Sequence, residues 1–126
     1  MNTGKILLIE DDKKDASGVL KLIQEKGYNV QCVNSGREGL IKAREGNFDL
    51  IILDLLLPDA KGEDICSALK KKTRLKNIPI IVLTVKDEIG DIEELFERGA
   101  DDYIIKPPRS AYLLDKVEAY MAKKRF

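Results

Sequence analysis

The sequence contains no histidine and only two cysteines, Cys32 and Cys66. Without histidine, the chain cannot form a Ser-His-Asp or Cys-His triad, and most zinc sites are excluded as well. The two cysteines lie far apart in the sequence and show no C-x-x-C spacing. We therefore expect both to be small core residues of a protein in a reducing compartment.

Net charge and long apolar stretches are absent too. The 22 Lys and Arg residues balance the 22 Asp and Glu residues, so no bulk field favours nucleic acid or an anionic membrane as a partner. No apolar stretch is long enough to cross a bilayer, and the first residues lack a signal-peptide pattern. We expect a cytoplasmic protein with no membrane partner and no direct contact with nucleic acid. The 126 residues suffice for one domain over 1–126, with its core at about 5–121.

Two hydrophobic periods alternate along the chain. Short apolar runs predict five strands, at residues 5–10, 28–33, 48–53, 79–84 and 102–105. Apolar residues at helical spacing predict a helix after each strand, at residues 13–26, 36–45, 62–72, 87–98 and 109–123. Such alternation implies βαβ crossovers and a parallel sheet covered on both faces, and a closed eight-stranded barrel would need about twice this length. The predicted fold is a doubly wound α/β sheet with the flavodoxin-like strand order 2-1-3-4-5.

Carboxylates follow the first and third predicted strands. Glu10, Asp11 and Asp12 come after the first strand, and Asp54 ends the apolar run of the third. The carboxyl ends of neighbouring parallel strands share one crevice, so up to four carboxylates would meet there. A divalent cation would relieve their repulsion, and a few carboxylates that leave places for water suit Mg²⁺.

A hydroxyl and an ammonium group complete this edge of the predicted sheet. Thr84 ends the fourth strand, and Lys106 follows the fifth. A carboxylate nucleophile, a metal ion, a hydrogen-bonding hydroxyl and a lysine that neutralises charge together suit phosphoryl transfer. We expect an aspartyl phosphate to form.

Four stretches at the predicted strand ends resemble the receiver domain of response regulators, the phosphoacceptor of two-component signalling. In chain order they are LLIEDD, DLIILDLLLPDAKG, IPIIVLT and GADDYIIKP. The resemblance implies that Asp54 accepts a phosphoryl group from the phosphohistidine of a sensor histidine kinase or a phosphotransfer protein. It implies output to a downstream protein or a fused effector domain. Such a chain is an enzyme only in catalysing its own phosphorylation and dephosphorylation.

The resemblance also implies a set of ligands for Mg²⁺. Glu10, Asp11, Asp54 and the backbone carbonyl of Leu56 would hold the ion. Asp12 is a further candidate ligand, and its alternative role is to cap the first helix.

The resemblance assigns the other site residues to phosphoryl binding and to a switch. Thr84 and Lys106 would bind phosphoryl oxygens, and the bond from Lys106 to Pro107 is expected to be cis. When Thr84 moves toward the phosphoryl group, Tyr103 would turn inward. The face formed by the fourth helix, the fifth strand and the fifth helix would change with it.

Two other functions remain open at this stage. One is an interaction module with the receiver fold that works without phosphorylation, and the other is a phosphohydrolase with an aspartyl nucleophile. A hydrolase of that kind would have a second acid two residues after the nucleophile, where this chain has Leu56. With Leu56 and Val85 beside the acceptor, and with neither Leu56 nor Lys86 able to act as a base, we predict slow self-dephosphorylation.

Overall fold

The computed structural model describes residues 4–85 and 92–123, which form a parallel sheet flanked by helices. The strands are β1 (Lys5–Ile9), β2 (Asn29–Val33), β3 (Leu50–Asp54), β4 (Ile80–Thr84) and β5 (Asp102–Ile105). The helices are α1 (Lys13–Gln24), α2 (Gly36–Glu45), α3 (Gly62–Lys70), α4 (Ile92–Glu97) and α5 (Ser110–Lys123). The strand order is β2-β1-β3-β4-β5 and each adjacent pair is parallel, which confirms the predicted α/β fold. No helix within these residues is long and apolar enough to cross a membrane.

Helices cover both faces of the sheet, as a buried parallel sheet requires. Every residue of β3 and β4 is buried, and alternate side chains of each strand enter two separate cores. One core includes Ile23 of α1 and Leu113 of α5, and the other includes Ala43 of α2 and Leu69 of α3. A shift in register by one residue would move every side chain of a strand from one core into the other and disrupt the packing of both. This fixes which residues stand at the end of each strand.

Side-chain caps begin the first two helices. Asp12 Oδ1 accepts a hydrogen bond from the backbone N–H of Asp15 at 2.9 Å, and Ser35 Oγ accepts one from the N–H of Glu38 at 3.1 Å. Each cap satisfies a backbone N–H that has no partner inside its helix. The predicted start of α2 after Ser35 and the capping role considered for Asp12 are both confirmed.

The ends of some elements differ from the prediction. Both α1 and α3 end two residues before the predicted position, and β3 begins two residues later. After α1 the chain tightens, because the N–H of Lys26 bonds to the carbonyl of Ile23, and Gly27 follows with a φ of 94°. Residues 87–91, the first part of the predicted fourth helix, lie outside the described residues.

The prediction that both cysteines are buried is wrong for Cys32. Cys66 is buried in the core on α3, whereas Cys32 is exposed. Cys32 lies near the end of the edge strand β2, beside a shallow pocket that Lys13 and Ala16 also line. The open pocket leaves the thiol in contact with solvent.

Candidate functional site

The ends of β3, β4 and β5 are held together at one edge of the sheet. Asp54 is the last residue of β3 and pairs in register with Leu83, so Thr84 lies one residue further along β4. The N–H of Leu55 donates to the carbonyl of Leu83 at 3.1 Å, and the N–H of Lys106 donates to the carbonyl of Thr84 at 2.8 Å. These bonds continue the sheet past the strand ends and fix the backbone that carries the site side chains.

The ammonium group of Lys106 lies among three carboxylates. Its Nζ is 2.5 Å from Glu10 Oε1, 3.2 Å from Asp54 Oδ1 and 3.2 Å from Asp15 Oδ2. Glu10 is 1% exposed and Asp54 is 7% exposed, whereas Asp15 lies on the surface. Buried charges require compensation by a partner, and Lys106 provides it here. The structure therefore brings together Glu10, Asp54 and Lys106, as the sequence predicts.

The pKa values of Glu10 and Lys106 reflect this burial. Burial raises the pKa of Glu10 to about 7; the neighbouring Asp54 adds to the rise and Lys106 opposes it. Burial by itself lowers the pKa of Lys106. The hydrogen bond to Glu10 and the charges of Asp54 and Glu10 outweigh that effect, and the pKa of Lys106 is raised overall. Lys106 is therefore a permanent cation. The carboxyl group of Glu10, in contrast, is protonated in part of the molecules near neutral pH.

Thr84 is the last residue of β4, and Tyr103 lies on the neighbouring strand β5. Thr84 is fully buried, and its hydroxyl donates to the backbone carbonyl of Val85 at 3.1 Å. Tyr103 is half-buried on β5, with its ring edge-on to Phe96 of α4 at a centroid distance of 6.2 Å and an angle of 63°. The peptide bond that follows Lys106 is cis, as expected.

The predicted ligands for Mg²⁺ are partly assembled. Glu10 and Asp54 contact the same ammonium group, whereas Asp11 is exposed and the side chain of Asp12 caps α1. Among residues 4–85 and 92–123, no three His, Cys, Asp or Glu side chains are grouped closely enough to hold an ion. Glu10, Asp11 and Asp54 are therefore not grouped in this way, and the predicted set also includes the backbone carbonyl of Leu56. Its oxygen donors suit a hard cation, and two buried carboxylates that share one ammonium leave negative charge for a divalent ion to compensate.

Two contacts around the site were not predicted from the sequence. Asp15 reaches Lys106 from the first turn of α1, and its place just after the first acidic cluster could have indicated this. Asp59, in the loop after β3, accepts hydrogen bonds from the backbone N–H groups of Gly36 and Arg37. The residues PDAKG indicate a turn at Asp59. They do not indicate its partner, because α2 begins 23 residues earlier in the chain.

Comparison with known proteins identifies the family. The model of the response regulator receiver domain matches residues 6–118. The chain belongs to this family. The receiver domain is 38% identical to the transcriptional regulatory protein PcoR of Escherichia coli over 121 residues, which are 96% of this chain and 53% of PcoR. The chain thus spans about half the length of the curated relatives it matches.

Solved structures resemble the receiver domain over nearly its whole length. The chemotaxis response regulator CheY4 of Vibrio cholerae matches with a TM-score of 0.88 and 29% identity, over 94% of this chain and 98% of that chain. The receiver domain of the sensor histidine kinase PA1611 of Pseudomonas aeruginosa, with a magnesium ion in its active site cleft, matches with a TM-score of 0.87 and 27% identity. That match covers 95% of this chain and 98% of the other.

Proposed function

We propose that this receiver domain is a phosphoacceptor switch in which Asp54 takes a phosphoryl group from the phosphohistidine of a sensor histidine kinase or a phosphotransfer protein. The observation that carries the proposal is the position of Asp54 at the end of β3, with its Oδ1 3.2 Å from Lys106 Nζ. A carboxylate oxygen of Asp54 would attack phosphorus while the bond to the histidine nitrogen breaks.

Lys106 and Thr84 would bind the oxygens of the incoming group. Lys106 supplies a positive charge that is already fixed beside Asp54, which favours negative charge on the phosphoryl oxygens. The hydroxyl of Thr84 would exchange its bond to the carbonyl of Val85 for one to a phosphoryl oxygen. That movement would begin the switch, since Tyr103 lies on the strand paired with β4.

Glu10, Asp11, Asp54 and the backbone carbonyl of Leu56 would hold Mg²⁺. When bound, the ion would neutralise charge on the carboxylates and on the phosphoryl oxygens. The buried pair of Glu10 and Asp54 supports this assignment, and so does the magnesium ion in the structure of the PA1611 receiver domain. Output would go to a downstream protein or to a fused effector domain, since PcoR is a transcriptional regulator about twice as long as this chain.

The test is the intact mass of the protein after incubation with acetyl phosphate and Mg²⁺. We expect one phosphoryl adduct on the wild type and none on Asp54→Asn. Asp49→Asn, just before β3, is the matched control and should keep the adduct. No adduct on the wild type would contradict the proposal and favour the interaction module. Turnover of a generic phosphate ester would instead favour a phosphohydrolase.

A further inference from the structure

One side chain fastens the loop between β3 and α3 (residues 55–61) to the start of α2. Asp59 Oδ1 accepts a hydrogen bond from the N–H of Gly36 at 2.8 Å, and Oδ2 accepts one from the N–H of Arg37 at 3.0 Å. These N–H groups belong to the first turn of α2 and have no partner inside the helix. Asp59 therefore caps a helix to which it does not belong, and the same two bonds hold the pKa of its carboxyl below the ordinary value.

The contact between the loop and α2 is also closely packed. A Cβ atom on Gly36 would lie 2.8 Å from Cδ1 of Ile65 and 3.2 Å from Cβ of Ala60. The backbone of α2 thus approaches the loop and α3 at a distance that a glycine permits. A small displacement of the loop would break the hydrogen bonds of Asp59.

The loop turns back directly onto the phosphoacceptor. Leu56 and Lys61 form an antiparallel bridge, and the N–H of Gly62 donates to the carbonyl of Leu55 at 2.6 Å. A Cβ on Gly62 would lie 2.9 Å from the carbonyl oxygen of Asp54. The position of the loop tip is therefore coupled to the two residues that follow Asp54.

The start of α2 is itself anchored beside Glu10. The N–H of Glu10 donates to the carbonyl of Val33, the last residue of β2, at 3.0 Å. Ser35, two residues later, is the N-cap of α2. By binding the first turn of α2, Asp59 connects the loop after Asp54 to the segment that neighbours Glu10.

We infer that Asp59 is a positioning residue, which keeps the carbonyl of Leu56 available to a cation held by Glu10 and Asp54. The inference rests on the proposed function. Asp59 contacts neither the ion nor the phosphoryl group, and it acts by holding the loop against α2. The affinity for Mg²⁺ therefore depends on Asp59, and phosphorylation at saturating Mg²⁺ does not.

The matched variants are Asp59→Ala and Ser35→Ala, since each removes one cap of α2 and only the first releases the loop. The Mg²⁺ midpoint is measured on the whole chain by titration of its backbone amide NMR signals. We expect Asp59→Ala to raise the midpoint roughly tenfold, as loss of a supporting group around a metal does. Ser35→Ala should leave it unchanged. Asp59→Asn should fall between, because an amide offers one acceptor oxygen where the carboxylate offers two. An unchanged midpoint in Asp59→Ala, or an equal rise in Ser35→Ala, overturns the inference.

A second measurement needs no metal. The amide hydrogens of Leu57 and Gly62 are bonded within the loop, and their exchange should become severalfold faster in Asp59→Ala and not in Ser35→Ala. Unchanged exchange in Asp59→Ala overturns the positioning role. A wild type that takes up no phosphoryl group overturns the proposed function, and a wild type that shows no Mg²⁺ midpoint overturns the ion assignment. If the wild type is phosphorylated and Asp59→Ala keeps the wild-type Mg²⁺ midpoint and amide exchange, only the role of Asp59 is overturned.

Discussion

Glu10 is the residue at which burial and charge conflict most strongly. It is 1% exposed, lies beside Asp54 and pairs with Lys106. The carboxylate form of Glu10 is therefore less stable in the folded protein than in the unfolded chain. Protonation of this one residue must then couple to the stability of the whole domain.

We predict that the stability of the metal-free protein falls as the pH rises from 4.5 to 7, the ordinary and folded pKa values of Glu10. In this interval the folded state binds more protons than the unfolded state, so removing protons favours unfolding. The free energy of unfolding decreases by roughly 3 kcal/mol across this interval. Below pH 4.5 none of this decrease has occurred, and above pH 7 it is complete. Urea unfolding in the presence of a chelator, at a series of pH values that brackets both limits, measures it. Glu10→Gln should remove most of this dependence, and equal slopes for the two proteins would contradict the assignment.

The residues that follow Asp54 and Thr84 predict how long a phosphoryl group would remain on Asp54. Leu56 is 51% exposed and Val85 is 39% exposed, and neither can orient or deprotonate a water molecule. Lys86, which was considered with them, lies outside the described residues. We therefore expect slow loss of the phosphoryl group and faster loss in Leu56→Gln, because a glutamine can orient an attacking water.

Decay of the adduct is followed by intact mass after removal of acetyl phosphate. Ile41→Gln is the control, since Ile41 is an exposed apolar residue of α2 and its replacement should leave the decay unchanged. A wild-type half-life of seconds would refute slow hydrolysis. Equal lifetimes for the wild type and Leu56→Gln would refute the role of Leu56.

Most elements can be predicted from the sequence because their environments leave few choices. The apolar runs of β3 and β4 require burial on both faces, so their ends at Asp54 and Thr84 could be placed at one edge of a parallel sheet. Contacts between distant elements leave no such local pattern. The bonds of Asp59 to α2 and the exposure of Cys32 depend on how helices pack on the sheet.

The start of α1 allows the capping and metal-binding roles of Asp12 to be separated. Asp12→Ala should destabilise the protein by about 1 kcal/mol, because the N–H of Asp15 loses its partner. Asp12→Ser keeps a capping oxygen and should keep the stability. If Asp12 acts only as a cap, both variants retain the wild-type Mg²⁺ midpoint. Urea unfolding and Mg²⁺ titration together decide the matter, since a raised midpoint in a stable Asp12→Ser variant would make Asp12 a ligand.

For the molecule as a whole, β4, β5 and α4 connect the site to an exposed face. Tyr103 pairs in register with Val82, two residues before Thr84, and its ring contacts Phe96. Phe96 and Ile105 are each 41% exposed, so the surface around Tyr103 is apolar and accessible to a partner. A change at Thr84 thus needs to cross only one strand pair to reach this surface.

We predict that beryllofluoride with Mg²⁺, a mimic of the phosphoryl group, shifts the ring signals of Tyr103 and Phe96 and the methyl signal of Thr84. The bound mimic would draw the hydroxyl of Thr84 away from its backbone partner and favour the packing in which Tyr103 turns inward. NMR of the whole chain measures these signals, with Tyr28, in the core on the other face of the sheet, as an internal reference that should not move. Asp54→Asn should show none of the shifts. If the mimic saturates the site of the wild type and Tyr103 and Thr84 keep their original signals, the site is not coupled to this face by the proposed route.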